Sequence, residues 1–84
     1  MPIDPKLLKA ARLLLEISQD ELAQTAGISR RTLVRLETLS PDASFRSIGA
    51  VRKALESYGV IFIEDGEYSG LRLPNHLLSQ AEIS

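Results

Sequence analysis

The segment from Gln19 to Leu36 leaves the chain few ways to fold. Ser18-Gln19-Asp20-Glu21 is a capping box, with Ser and Glu three apart, and opens a helix whose inner face is Leu22, Ala23 and Ala26. Gly27 closes that helix, taking the left-handed conformation at no steric cost. Ser29 restarts the chain after a very short turn. A second helix is predicted from Arg30 to about Thr38, with Leu33 and Leu36 pointing inward. Small Ala23 stands where the two helices would cross, and a larger side chain would push them apart. Leu22, Ile28, Leu33 and Leu36 give both helices a common core. These are the requirements of two short helices crossing about a tight turn.

The flanking sequence supplies further elements. Asp4-Pro5 reads as a helix start, Asp capping free amides and Pro pre-set for the first helical position. Leu7, Leu8, Ala11, Leu14 and Leu15 then recur at helical spacing to about Glu16, with Leu13 left to face outward. Residues 39–43 read as a loop, since Pro41 forbids continuation of the helix. Ser44 is the predicted cap of a fourth helix whose apolar stripe is Phe45, Ile48, Val51, Leu55 and Tyr58, and Gly59 ends it. Val60-Ile61-Phe62-Ile63 is β-branched and aromatic and predicts a strand; residues 64–70 form a loop, and Leu71-Arg72-Leu73 the returning strand that Pro74 stops. Leu77, Leu78 and Ala81 keep helical spacing in a tail too short for a stable isolated helix. The expected fold is mainly α, a compact four-helix domain over residues 1–59, with a short C-terminal β-hairpin and tail over 60–84.

Composition narrows the functional classes. A chain of 84 residues is one domain at most. It has no cysteine, which excludes a disulfide framework, thiolate zinc sites and a cysteine nucleophile, and fits the cytoplasm better than secretion. No apolar stretch exceeds four residues, so no membrane span is expected, and the start of the sequence lacks the layout of a signal peptide. His76 is the only histidine and reads as a surface residue of the tail, leaving little from which to build a metal site or a Ser-His pair. Glu64, Asp65 and Glu67 lack the spacing of a calcium loop and read as a solvated hairpin turn. No catalytic residue, metal or cofactor is therefore expected, and the chain does not read as an enzyme. The net charge of −1 hides an asymmetry: residues 1–54 carry +3 and residues 55–84 carry −4. A basic front suits a polyanion, and an acidic rear suits a different partner.

Arg12, Ser18-Gln19-Asp20-Glu21-Leu22-Ala23, Ala26-Gly27-Ile28-Ser29, Thr32-Leu33 and Leu36-Glu37 together resemble the lambda-repressor-like family, the Cro/repressor or XRE type of helix-turn-helix regulator. The resemblance covers roughly residues 6 to 58. Thr38-Leu39-Ser40-Pro41 departs from the glycine-containing loop common in that family, and a strand-like segment stands where a fifth helix is usual. The resemblance implies a partly buried salt bridge between Arg12 and Glu37, and a phosphate contact for Gln19 at a helix N-terminus.

The residues themselves point the same way. At 100° per residue Leu33 and Leu36 set the inner direction of the third helix. Arg31 and Arg35 fall nearly opposite, with Val34 between them in sequence and Arg30 to one side in the first turn. Arg offers a forked donor to guanine, and Val can meet a thymine methyl. Ser29 and Thr32 are candidate phosphate contacts, Ser29 being first a cap. Arg46 is a candidate backbone contact, and Lys6 and Lys9 rank below it. The expected function is a sequence-specific regulator of double-stranded DNA, a bacterial or phage repressor reading a palindromic operator as a homodimer. The hairpin is its expected dimer contact, because Val60 to Ile63 is apolar on both faces. The alternative is an antitoxin that also binds a toxin protein through the acidic C-terminal part.

Overall fold

The computed structural model describes residues 4–38 and 43–78. Four helices come first: α1 (Pro5–Leu15), α2 (Gln19–Ala26), α3 (Arg30–Glu37) and α4 (Phe45–Ser57). An antiparallel hairpin of β1 (Ile61–Glu64) and β2 (Ser69–Arg72) and a 3-10 turn (Asn75–Leu77) follow. The expected loop at residues 39–43 falls mostly outside the described residues, as does Ala81 of the tail.

Each helix begins where its cap predicts. Asp4 accepts from the Lys6 amide at 2.8 Å, with Pro5 opening the first turn. Ser18, Ser29 and Ser44 accept from the amides of Glu21, Thr32 and Ser47 at 3.0–3.1 Å. Gly27 closes α2 at φ 74°, and Glu16 closes α1 in the same left-handed region at φ 58°. At eight residues each, α2 and α3 are too short to persist alone in water, so tertiary packing holds them. Leu8 and Ala11 of α1, Leu22 and Ala23 of α2, Leu33 and Leu36 of α3, and Val51, Ala54 and Leu55 of α4 meet in one buried core.

Two expectations of the apolar stripes are corrected. Phe45 is 77% exposed: measured from Val51, Ala54 and Leu55, its position lies roughly 130° around α4 from the buried side. Leu14 is exposed together with Leu13, because the line through Leu8, Ala11 and Leu15 leaves Leu14 roughly 90° off.

The hairpin is tighter than its sequence suggested. Its strands are 61–64 and 69–72 rather than 60–63 and 71–73, and the loop shrinks to Asp65–Tyr68. Asp65 makes that turn: its carboxylate accepts from the amides of Glu67 at 3.1 Å and Tyr68 at 2.8 Å, which holds its pKa below the ordinary 3.8. Gly66 supplies the positive φ of 97° that the turn needs. Alternation then sorts the strand faces. Phe62 pairs with Leu71, and both pack on the core next to buried Val60. Ile61 and Ile63 pair with Arg72 and Gly70 and face outward. The Arg52 guanidinium of α4 stands 5.8 Å from the Phe62 ring centroid, within cation–π range. Gly59, at φ 102°, lets Pro74 approach so closely that a Cβ there would lie 2.8 Å from the Pro74 ring. The chain leaving the hairpin is thereby pressed against the end of α4.

Candidate nucleic-acid interface

α3 owes its orientation to a charge on its inner side. Glu37, its last residue, is buried, and its carboxylate receives three hydrogen bonds. Arg12 donates through Nε to Oε2 at 2.6 Å and through Nη2 to Oε1 at 3.0 Å, a bidentate fork. Gln19 donates its amide nitrogen to Oε1 at 3.0 Å. The third arm of Arg12, Nη1, reaches the Ile17 carbonyl at 3.0 Å. One cluster therefore joins α1, the α1–α2 connection, the start of α2 and the end of α3. The side chains of Arg12 and Glu37 are only 11% and 3% exposed.

With Leu33 and Leu36 fully buried, the other side of α3 is solvent-facing. Arg30, Arg31 and Arg35 are exposed, and Val34 and Thr32 are half-buried. The Ser29 hydroxyl is occupied as the cap and lies 2.8 Å from the Thr32 hydroxyl. Gln19 is half-buried at the first position of α2, with one amide hydrogen spent on Glu37. It thus stands between the buried ion pair and the solvent. Exposed Arg46 lies in the first turn of α4, beyond the undescribed residues 39–42. Lys9, Arg12, Gln19, Asp20, Arg30 and Glu37 are among the residues lining a cleft of about 420 Å³ between α1 and the α2–α3 pair.

Two contacts of this region are not legible in the sequence. Arg30 Nε lies 3.4 Å from Asp20 Oδ1, an ion pair across the helix turn. On the far side of α2 the Tyr58 hydroxyl donates to Glu21 at 3.0 Å and lies 3.1 Å from the Thr25 hydroxyl, tying the end of α4 to α2. Both join residues on different elements, where no periodicity marks them. Among the described residues, no group of three or more His, Asp or Glu gathers as a metal site, and no helix is long and apolar enough to cross a membrane.

The helix-turn-helix family model matches residues 8–58, which run from within α1 to just past α4 and contain the Arg12–Glu37–Gln19 cluster, the Asp20–Arg30 pair and the Tyr58 contacts. The chain belongs to the helix-turn-helix family, in its XRE, lambda-repressor-like branch. That membership makes it a DNA-binding transcriptional regulator. No curated protein shows significant similarity to it. In this regulator α2 and α3 are the two helices of the motif, and the Arg12–Glu37 pair is the strut between the motif and α1.

Breaking the strut by halves is expected to be costly. Arg12→Ala leaves Glu37 buried with Gln19 alone and should lower stability by about 3–5 kcal/mol in thermal or urea unfolding. The double variant Arg12→Leu/Glu37→Leu should lose less than either single substitution. A single-variant loss under about 1 kcal/mol, the range of an exposed pair, would show that the cluster does not hold the motif.

Proposed function

We propose that the protein is a repressor that binds a palindromic operator as a homodimer, inserting α3 into the major groove. The observation that carries this reading is the opposition on α3 of fully buried Leu33 and Leu36 to exposed Arg31 and Arg35. A basic outer face with like charges at i and i+4 is unfavourable for a helix by about 0.2–0.5 kcal/mol, and serves a polyanion better than it serves stability. Arg31 and Arg35 are the base readers, with Val34 available to a thymine methyl and Arg30 beside them. Gln19, Ser29 and Thr32 at the two helix starts are phosphate contacts, and Arg46 is a further backbone contact. On this reading the protein, bacterial or phage in origin, represses by occupying the promoter and acts in the cytoplasm.

One recognition helix reads few base pairs, and two of them about 34 Å apart read successive major grooves of a palindrome. The C-terminal hairpin is the proposed contact between subunits. In a two-stranded sheet each strand has an unpaired edge, and β1 carries the exposed Ile61 and Ile63. Two copies of β1 running antiparallel and centred on Phe62 would set Ile61 opposite Ile63 of the partner subunit. Such a register is self-complementary, and it closes an edge that would otherwise be open to non-specific pairing.

Two outcomes are expected. With a duplex selected from a random library, Arg31→Ala and Arg35→Ala should each lose about 1–3 kcal/mol of specific affinity in gel shifts and relax preference at one base pair. Gln19→Ala should instead weaken binding to all sequences. Wild-type affinity in both arginine variants would overturn the reading. For the assembly, Ile61→Lys and Ile63→Lys change exposed positions and spare buried Val60, so they should keep the fold by circular dichroism and sediment as monomers. Unchanged dimers in both variants would place the interface elsewhere.

A further inference from the structure

The DNA-facing side proposed for α2 and α3 contains one acid that the fold does not consume. Three carboxylates lie within these two helices: Asp20, Glu21 and Glu37. Glu37 is buried with Arg12 and Gln19, and Glu21 is bonded to Tyr58 on the α4 side. Asp20 instead follows Gln19 directly and points to Arg30, with its side chain 79% exposed and that of Arg30 64% exposed. The pair stands at the junction of the motif's two helices, on the wall of the cleft that Gln19 also lines. Within that wall Arg12 is neutralised by Glu37 and Arg30 by Asp20, so only Lys9 keeps an unbalanced charge.

An exposed ion pair holds weakly. A phosphate arriving at the start of α2 competes for Arg30 with Asp20, and the Asp20 carboxylate, well within one Debye length of Gln19, repels the same phosphate. A residue meant to maximise attraction to DNA would not be an acid at this position. We infer that Asp20 is a specificity-determining residue. It holds Arg30 off the backbone of non-cognate DNA and releases it only where the fit of the neighbouring arginines to the bases brings the phosphate close enough. Non-specific affinity is thereby kept low at small cost to specific affinity. This inference rests on the proposed insertion of α3 in the major groove.

The test is Asp20→Asn, measured on the selected duplex and on an unrelated duplex across a salt series. One additional phosphate contact adds about 0.9 to the slope of log affinity against log salt. Asp20→Asn should therefore bind the unrelated duplex roughly eightfold more tightly near 0.1 M salt, with a steeper slope and a lower specificity ratio. Most of the gain should be lost in an Arg30→Ala background, where only the direct repulsion by Asp20 is relieved, and Glu67→Gln, the same charge change at the hairpin turn, should not reproduce it. Asp20 also sits in the first turn of α2, where an acid favours the helix. A purely structural role would give the opposite sign: a lower melting temperature and weaker binding. Wild-type affinity and slope, weaker binding, a gain undiminished by loss of Arg30, or an equal gain in Glu67→Gln would each overturn the inference. If Arg31→Ala and Arg35→Ala still lose site preference in that assay, the reading of α3 stands without it. If they do not, both fall.

Discussion

Everything that faces outward on α3 depends on a carboxylate that faces inward. Glu37 is nearly inaccessible to solvent, a place where a lone charge would be strongly disfavoured. Arg12 and Gln19 meet it with three hydrogen bonds, and Arg12 uses its remaining arm on the Ile17 carbonyl. Burial of Leu33 and Leu36 sets which side of the helix faces inward, but hydrophobic contact alone leaves small rotations about the axis weakly opposed. A bidentate fork does not tolerate them. The apolar core supplies the driving force for packing α2 and α3, and the ion cluster sets the angle at which Arg31 and Arg35 emerge.

The charge distribution complements that geometry. Net charge is close to zero, yet the front of the chain is basic and the rear acidic. Glu64, Asp65 and Glu67 sit exposed at and beside the hairpin turn, where they disfavour contact with DNA, in keeping with the proposed approach of a duplex to α3. The turn can carry three acids because Asp65 is engaged by two backbone amides, an arrangement that favours its ionised form.

Much of this was legible in the sequence because it is local. Caps, the left-handed glycine and helical spacing are decided within a few residues, and Asp4, Ser18, Gly27, Ser29 and Ser44 all act where the chain predicts. The Arg12–Glu37 pair was legible only through family resemblance, since nothing local connects residues so far apart. Phe45 and Leu14 misled because a stripe read at three- and four-residue spacing is broader than the buried side of a helix, and only the neighbouring elements decide where its margin falls. The first strand shifted by one residue because Val60 is claimed by the core, and the second starts two residues earlier because Asp65 nucleates a turn tighter than its glycines alone suggest. The Asp20–Arg30 pair and the Tyr58–Glu21 contact were invisible, as they form only when the helices cross.

The central claim is that the outer face of α3, fixed by the buried ion cluster, is the surface that meets DNA. Backbone amide shifts of the nitrogen-15-labelled protein, followed while a selected operator duplex is added, test it most directly. The largest changes are expected at residues 19–20 and 29–35, with the hairpin turn at 65–68 nearly still. Large changes confined to the hairpin or to α4, with α3 silent, would contradict it.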